Sequence, residues 1–268
     1  MFFCEKKTKK VKFYLISVKF MLIYIPIFNT IVVMMLLNKG GIGMHSDGAI
    51  TINYGKLNIN FKKVFYFGLK RFFDILCGIL GIIIMLPLAM IIKIVYLCSG
   101  DFKSIFFKQK RLGKDGKIMY IYKFRTMVPN AEEILEQWLK NNEDKRKEYL
   151  ETRKIENDPR ITKIGKILRE TSLDEFPQFI NIFKGDMAMI GPRPVVLDEA
   201  DNYGKNKAKF LSVRPGLTGY WAANGRSNTT YRQRIKMELY YVDNCSAKLD
   251  MQIILATIKS VLKKEGAK

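Results

Sequence analysis

The chain has 268 residues, of which 48% are hydrophobic, enough for one domain of moderate size with additional segments. Its 46 Lys and Arg against 25 Asp and Glu give a formal net charge of +21, which favours phosphate-bearing partners such as nucleic acid, anionic lipid headgroups or phosphorylated small substrates. The four cysteines form no CxxC pair and the one histidine is His45, which disfavours a disulfide framework, a zinc site and a histidine-based hydrolase triad.

Residues 1–60 form a basic and apolar N-terminal extension of open role. Several lysines precede the apolar run Phe20–Leu37, which is similar to a signal sequence or a marginal membrane segment. If this run crossed a membrane with its lysines inside, the next apolar helix would have to cross back. We therefore expect the run to be dispensable, or the true start to be Met44.

Residues 61–99 contain the better membrane candidate. Ile75–Ile92 is an unbroken uncharged run with the length of a bilayer helix. Pro87 lies late in this run and predicts a kink, because proline removes one backbone hydrogen bond. Lys and Arg flank both ends, and the positive-inside rule then places both ends in the cytoplasm. The pattern favours a re-entrant helix over a crossing one, and a buried helix of a soluble core is the alternative.

Residues 100–268 have the pattern of a cytoplasmic α/β domain that is mostly helical. The stretches "IFFKQKRLG" and "KIMYIYKFRTM" predict two short strands around a turn at "GKDGK". A charged helix is expected over 131–156, a second helix in "DPRITKIGKILRE" with Ile161, Ile164, Ile167 and Leu168 on one side, and a third in "EFPQFINIFKG" that stops at Gly185. The C-terminal "DMQIILATIKSVLKK" is amphipathic and basic, which suits either core packing or a membrane surface.

Two adjacent carboxylates, Asp174 and Glu175, lie in "TSLDEFPQ". One interpretation is a capping box, with Ser172 as the N-cap and Glu175 three positions later. Pro177 argues against that register, and a helix that begins at Asp174 or Glu175 would place this proline in the first turn. In either register Asp174 lies at a helix start, where a carboxylate stays ionised and can attack phosphorus or hold a metal ion.

Phosphate chemistry also needs cations, and the sequence offers several in constrained settings. Arg169 precedes Asp174 by five residues, at the end of the preceding predicted helix. Arg193 in "GPRPV" and Arg214 in "VRPGLTG" adjoin prolines, which restrict the backbone and reduce the entropy lost on binding. "YKFRTM" adds Lys123 and Arg125. Each Arg-Pro pair alone is also typical of a rigid surface turn.

Several segments together resemble the bacterial sugar transferase family, the monotopic polyprenyl-phosphate phosphoglycosyl transferases. They run in family order from about Lys70 to the C-terminus, and "MVPNAEE" with the charged helix is most similar to the undecaprenyl-phosphate galactose phosphotransferase branch. The matching segments are "KRFFD", the helix with Pro87, "FFKQKRLG", "YKFRTMVPNAEE", "NDPRITKIGKILRETSLDEFPQFINIFKGDMAMIGPRP", "VRPGLTGYWAANGRS" and "YYVDNCSAKLD".

The resemblance implies transfer of a sugar 1-phosphate from a UDP-sugar to undecaprenyl phosphate in two steps. Asp174 would attack the β-phosphate, release UMP and hold the phosphosugar covalently until the lipid phosphate takes it. Mg²⁺ near Asp174 would offset charge and Glu175 would assist, while Lys123, Arg169 and Arg193 match family positions that support the site. The resemblance also implies a monotopic protein with a Pro-kinked re-entrant helix, in the inner membrane, with its catalytic domain in the cytoplasm.

The chain departs from the family pattern at "AANGRS", at Ala188 and at Glu238, which bear on sugar choice or packing more than on the reaction. Galactose is the expected sugar, while glucose and N-acetylated sugars stay open, as do the pathway (capsule, exopolysaccharide or O-antigen) and a homodimer. The rival classes are a membrane-tethered nucleic-acid-binding protein and a non-catalytic membrane scaffold. We expect contact with membrane lipid and no nucleic-acid partner.

Overall fold

The computed structural model describes residues 43–44, 50–54, 57–142, 146, 149, 158–225 and 229–262. The run Phe20–Leu37, His45 and most of the second half of the predicted helix 131–156 lie outside these ranges. The chain divides into two compact units, residues 1–74 and 75–268. In the first unit three strands pair in an antiparallel sheet: β1 (Gly43–Met44), β2 (Ile50–Tyr54) and β3 (Leu57–Asn60).

The longest element is helix α1 (Phe61–Cys98), which has 38 residues and continues through Pro87. At 1.5 Å per residue it is about 57 Å long, nearly twice the thickness of a bilayer hydrocarbon core. Among the described residues it is the helix that is long and apolar enough to cross a membrane, by length and composition alone. Many of its apolar side chains are exposed, and Leu80 and Met90 are 60% and 66% exposed. The predicted re-entrant path stays a prediction.

A β-hairpin follows, as the sequence predicted. Strands β4 (Phe106–Leu112) and β5 (Ile118–Phe124) pair antiparallel, with Phe107 opposite Lys123, around a turn at Lys114–Gly116. Because opposed residues share a face and successive pairs alternate, Arg111, Ile121 and Lys123 lie on one face of the hairpin. Met119 and Ile121 are buried on that face, so it is turned toward the core.

The structure gives the bounds of three helices in the next part of the chain: α2 (Ala131–Asn141), α3 (Lys163–Glu170) and α4 (Gln178–Lys184). The hydroxyl of Thr162 caps α3 by accepting a 2.9 Å hydrogen bond from the Gly165 amide. Gly185, with φ of 90°, ends α4 at the predicted position. Leu168 is buried, but Ile167 is 54% exposed, so these two residues do not lie on one side of α3 as the sequence predicted.

The remainder is mostly helical with one small sheet. Strands β6 (Ala188–Ile190) and β7 (Gly216–Thr218) pair in parallel. The helices are α5 (Leu197–Ala200), α6 (Lys207–Phe210), α7 (Tyr220–Asn224), α8 (Tyr231–Asn244) and α9 (Ala247–Leu262). One side of α9 is core, because Leu249 and Ile253 are buried beside Tyr241, whereas Leu255 on its other side is 61% exposed.

Within the second unit, one stripe of α1 packs on the domain. Its buried residues Met85, Ile92 and Tyr96 join Phe124 of β5 and Leu168 of α3 in a single core cluster. Two glycines allow the closest approach: a Cβ added at Gly81 would overlap the ring of Phe179, and one at Gly78 would press on Phe183. Consequently one side of α1 is fixed to the domain while the opposite apolar side is exposed.

Candidate active site

The acidic pair lies in a tight turn between α3 and α4. Leu173–Glu175 forms one turn of 3₁₀-helix, preceded by Ser172 in the left-handed conformation with φ of 57°. The side chain of Ser172 makes no capping hydrogen bond, so the capping box is not formed. Helix α4 begins at Gln178, later than predicted, and Pro177 lies directly before it, where a missing N–H leaves no helical bond unmade.

Lys123 joins the acidic turn to the hairpin. Its Nζ donates a 2.7 Å hydrogen bond to Glu175 Oε1 and lies 3.8 Å from Asp174 Oδ2. The Asp174 side chain is 14% exposed and that of Glu175 38%. One ammonium group therefore faces both carboxylates, and the more enclosed of the two is Asp174.

Burial raises the pKa of the Asp174 carboxyl above its usual value. Lys123 opposes this shift, the negative charge of Glu175 adds to it, and Arg169 again opposes it. We had expected amide groups at a helix start to keep this carboxylate ionised. Its own backbone amide contributes least, so the balance is instead between burial and the charge of Lys123.

Arg169 reaches the site from the end of α3. Its Nε donates a 2.9 Å hydrogen bond to the Thr126 hydroxyl, which fixes the guanidinium group close enough to influence Asp174. Helix α3 can approach Thr126 closely because Gly165 has no side chain. A Cβ at Gly165 would overlap the carbonyl oxygen of Thr126.

Asn181 connects α4 to the edge of β5 and was missed by the sequence interpretation. It is fully buried; its Oδ1 accepts a 3.1 Å bond from the Tyr122 amide, and its Nδ2 donates a 2.8 Å bond to the Tyr120 carbonyl. The side chain thus acts as an additional strand partner. It holds β5, and with it Lys123, in register with the acidic turn.

A cleft with an empty volume of about 590 Å³ opens beside this turn. Lys123 and Glu175 line it, together with Gln178 of α4, whereas Asp174 lies behind them, next to Lys123. The segments "GPRP" (191–194) and "GLTG" (216–219) form part of its wall. They lie side by side because Gly191 and Gly216 permit backbone contact: a Cβ at Gly216 would overlap the Gly191 amide nitrogen.

Another part of the cleft wall combines arginines with an aromatic ring. Arg111, Arg193 and Trp221 line the cleft, and the guanidinium carbons of Arg193 and Arg234 lie 5.8 and 4.8 Å from the Trp221 ring centroid. Burial lowers the pKa of Arg111, and the positive charge of Arg193 lowers it further. Among the described residues Arg111 Nε is buried without a hydrogen-bond acceptor. This wall is therefore suited to an anion.

Glu238 is buried behind this wall and holds it by hydrogen bonds. It is 2% exposed, and its carboxylate accepts hydrogen bonds from Tyr203 at 3.1 Å, from Arg234 Nε at 3.3 Å and from the Arg193 backbone. Burial raises the pKa of the Glu238 carboxyl against these favourable contacts. The role of Glu238 is thus to position the Pro-Arg-Pro segment. The sequence had marked it only as a departure from a common Asp.

Three of the four predicted phosphate-binding arginines, Arg125, Arg169 and Arg214, do not line the cleft. Arg125 donates to Asp101 at 2.8 Å and to the Ser104 carbonyl at 2.7 Å, and it stacks on Tyr96. This arrangement ties the chain after α1 to the hairpin. Arg214 is exposed and lies outside the residues that line the cleft. Of the predicted cations, Lys123, Arg169 and Arg193 are the ones assembled around the acids and the cleft.

The acidic pair fits Mg²⁺ when phosphate supplies further ligands. Within the described ranges no three His, Cys, Asp or Glu side chains are grouped to hold a metal ion by themselves. Mg²⁺ usually takes one or two carboxylates plus substrate phosphates and water. Asp174, whose side chain is mostly enclosed, provides one such carboxylate, and Glu175 provides the neighbouring one.

Comparisons with known proteins place the chain among sugar transferases. A family model described as bacterial sugar transferase matches residues 65–264. An uncharacterized sugar transferase of Haemophilus influenzae is 40% identical over 212 residues, which are 79% of this chain and 45% of the relative. The undecaprenyl-phosphate galactose phosphotransferase of Salmonella typhimurium is 41% identical over 199 residues, 74% of this chain and 41% of the relative.

A third relative, the exopolysaccharide production protein ExoY of Sinorhizobium fredii, is 40% identical over 199 residues and is matched over 87% of its own length. The chain therefore spans less than half of the first two relatives but most of the third.

Proposed function

The chain belongs to the bacterial sugar transferase family, and we propose that it transfers a sugar 1-phosphate from a UDP-sugar to undecaprenyl phosphate. The products would be undecaprenyl-diphosphate-sugar and UMP. The observation that carries this proposal is the single ammonium group of Lys123 facing both Asp174 and Glu175 at the edge of an arginine-lined cleft.

Asp174 is the nucleophile of the first step. A carboxylate oxygen attacks the β-phosphorus of the UDP-sugar, the bond from that phosphorus to the bridging oxygen breaks, and UMP leaves with the electron pair. The sugar phosphate stays on Asp174 as an acyl phosphate. The enclosure of Asp174 favours this role, because a poorly solvated carboxylate is the more basic, and the charge of Lys123 opposes the resulting rise in its pKa.

In the second step a phosphate oxygen of undecaprenyl phosphate attacks the same phosphorus, and the Asp174 carboxylate leaves. Glu175 is more exposed than Asp174 and faces the cleft, which suits it to orient the incoming phosphate. The positive charges of Lys123 and Arg169 stabilise charge that moves among phosphate oxygens in both steps.

The part of the cleft wall that carries arginines and aromatic rings suits the UMP half of the donor. Arg111 and Arg193 offer guanidinium donors for the α-phosphate, and Trp221 and Tyr220 offer aromatic faces for the uracil ring. Glu238 holds the backbone that carries Arg193. The donor would thus lie with its β-phosphate toward Lys123 and its nucleoside toward Trp221.

Mg²⁺ would be held by Asp174, with Glu175 as the neighbouring carboxylate, and would offset the charge of the diphosphate. The protein's own residues would set the orientation of that diphosphate through the cations described above.

For the membrane, we propose a monotopic arrangement with α1 embedded and the catalytic domain on the cytoplasmic side. The stripe of α1 from Gly78 to Tyr96 packs on the domain, which leaves only its other side for lipid. A helix that simply crossed a bilayer would need lipid or membrane-embedded protein all around this stretch. The return of the chain to its side of entry is a separate part of this proposal, since α1 continues through Pro87 as one helix.

The sugar is proposed to be galactose, as the name of the Salmonella typhimurium relative states for that protein. Glucose or an N-acetylated sugar is the alternative. Exopolysaccharide or capsule synthesis is the proposed context, in line with the name of the ExoY relative.

The test is UMP release from purified protein in detergent with Mg²⁺, undecaprenyl phosphate and a panel of UDP-sugars. We expect release with UDP-galactose for the wild type and none for Asp174→Asn. Equal release by both proteins would contradict the assignment of Asp174, and no release with any UDP-sugar would favour a binding or scaffold role.

A further inference from the structure

One face of the hairpin carries alternating lysine and tyrosine side chains. In the register of β4 and β5, Lys108 is opposite Tyr122 and Lys110 is opposite Tyr120. These pairs share a face that is the reverse of the one lining the cleft. Both lysines are exposed, and Tyr120 is 52% exposed. We call these four residues, with Lys184 at the end of α4, the basic strip.

Two lysines of the basic strip approach the ring of Tyr122. The Nζ atoms of Lys108 and Lys184 lie 5.8 and 5.7 Å from the Tyr122 ring centroid. Asp186 is 3.3 Å from Lys184 and compensates one of the three positive charges. The strip therefore has a net charge of about two, carried on side chains with apolar stems and aromatic bodies.

The basic strip lies on the face of the domain that holds α1. The same hairpin face includes the pair Phe106 and Phe124, and Phe124 is packed in one cluster with Met85, Ile92 and Tyr96 of α1. At the other end, Phe183 precedes Lys184 and touches α1 at Gly78. The basic strip is thus continuous with the surface on which α1 packs.

We propose that the basic strip binds the phosphates of anionic phospholipid headgroups when α1 is embedded in the membrane. This inference rests on the membrane arrangement proposed above and not on the transfer reaction. The lysines supply charge complementary to the anionic leaflet, and the tyrosines have the apolar body and polar tip that suit a membrane–water interface.

Charge and position together favour a lipid surface over nucleic acid as the partner. The strip lies beside an exposed apolar helix face, where a polyanion in solution would leave apolar side chains in water. A lipid leaflet would cover the apolar helix and meet the lysines at the depth of its headgroups.

The strip can be tested with full-length protein in vesicles of 80% phosphatidylcholine and 20% phosphatidylglycerol, extracted with a styrene–maleic acid polymer. The measurement is the fraction of phosphatidylglycerol around the protein, by lipid mass spectrometry. Each lysine near an anionic surface contributes about 1 kcal/mol, or about fivefold in binding. We expect phosphatidylglycerol to be enriched around the wild type. In the triple variant Lys108→Gln, Lys110→Gln, Lys184→Gln this enrichment should be at least about threefold lower.

The matched control replaces three exposed lysines outside the strip, Lys205→Gln, Lys209→Gln and Lys236→Gln, with the same change in net charge. It should keep the wild-type enrichment, and 0.5 M salt should reduce the enrichment of wild type and control. Equal enrichment in the wild type and the strip variant would overturn the proposal. It would also be overturned if the wild type and the control bound a single-stranded oligonucleotide and the strip variant did not. If the wild type fails to sediment with neutral vesicles, the membrane role of α1 fails instead, and the strip with it.

Discussion

The Lys123 ammonium nitrogen lies 2.7 Å from a carboxylate oxygen of Glu175, and this bond joins residues 52 positions apart in the chain. It connects strand β5 to the turn that carries the acidic pair. The same ammonium group lies 3.8 Å from Asp174, the carboxylate that burial makes more basic. The chemistry of the site thus depends on how the hairpin is held against that turn.

Lys123→Met should lower kcat by about a hundredfold to a thousandfold, because one fixed cation at the transferring phosphate is lost. The measurement is UMP release at saturating UDP-sugar. Lys117→Met, at an exposed lysine that begins the second half of the same hairpin, should keep wild-type kcat. A Lys123→Met enzyme within threefold of the wild type would contradict a direct role for this ammonium group.

Asp174→Asn should make the protein inactive but more stable at neutral pH. The folded-state pKa of Asp174 is raised, so folding favours its protonated form. The stability that this carboxyl contributes is greatest below its pKa in the unfolded chain and is lost as the pH rises through its pKa in the folded protein. At neutral pH the ionised carboxylate therefore lowers the free energy of unfolding. A neutral amide removes this cost. We expect a higher melting temperature at pH 7.5 in EDTA.

The gain should shrink when the melting temperature is measured at an acidic pH, because protonation of the wild-type carboxyl in the folded state then removes its cost. Asp198→Asn, at an exposed carboxylate, serves as the control and should leave the melting temperature unchanged at both pH values. A lower melting temperature for Asp174→Asn at pH 7.5 would show that pairing with Lys123 outweighs burial.

Asn181→Ala should lower the free energy of unfolding by about 2–4 kcal/mol, because two buried backbone groups of β5 lose their partners. Denaturant titration in detergent measures this loss. Asn202→Ala removes an exposed amide with one long 3.4 Å contact and should cost less than about 0.5 kcal/mol. Equal losses for the two variants would argue against Asn181 as the link between α4 and the hairpin.

Trp221→Leu should raise KM for the UDP-sugar by about tenfold, because an aromatic face for the base is worth roughly 1–3 kcal/mol. Initial rates over a range of UDP-sugar concentrations give KM and kcat separately. The control is Trp138→Leu on α2, at the other tryptophan of the chain, which should leave KM unchanged. A changed kcat with an unchanged KM would place Trp221 outside the nucleotide contact.

Local sequence patterns predicted the elements around the site better than the contacts between them. The hairpin, α3 and the stop of α4 at Gly185 follow from alternation, helical spacing and turn residues, and the structure confirms them. The capping box failed because Ser172 takes a left-handed conformation that no short-range motif indicated. The 3₁₀ turn is set instead by packing, since Leu173 and Phe176 contact the cluster beneath α1.

Contacts across the chain were the part that sequence could not supply. Arg125 and Lys123 are two positions apart, yet one holds Asp101 and the other faces the acidic pair, because strand β5 ends at Phe124 and Arg125 lies beyond it. The sequence did not indicate that Arg111 and Glu238 belong to the site, because only the fold brings them to one cleft. Asn181 looked like an ordinary polar position on a helix, and burial alone distinguishes it.

The most direct test of the central claim is the intact mass of the purified protein after incubation with UDP-galactose and Mg²⁺, in the absence of undecaprenyl phosphate. The proposed mechanism predicts a mass increase of one phosphosugar on the wild type, removed when undecaprenyl phosphate is added, and no increase on Asp174→Asn. UMP release without any covalent adduct on the wild type, or an adduct of the same size on Asp174→Asn, would contradict the assignment of Asp174 as the nucleophile.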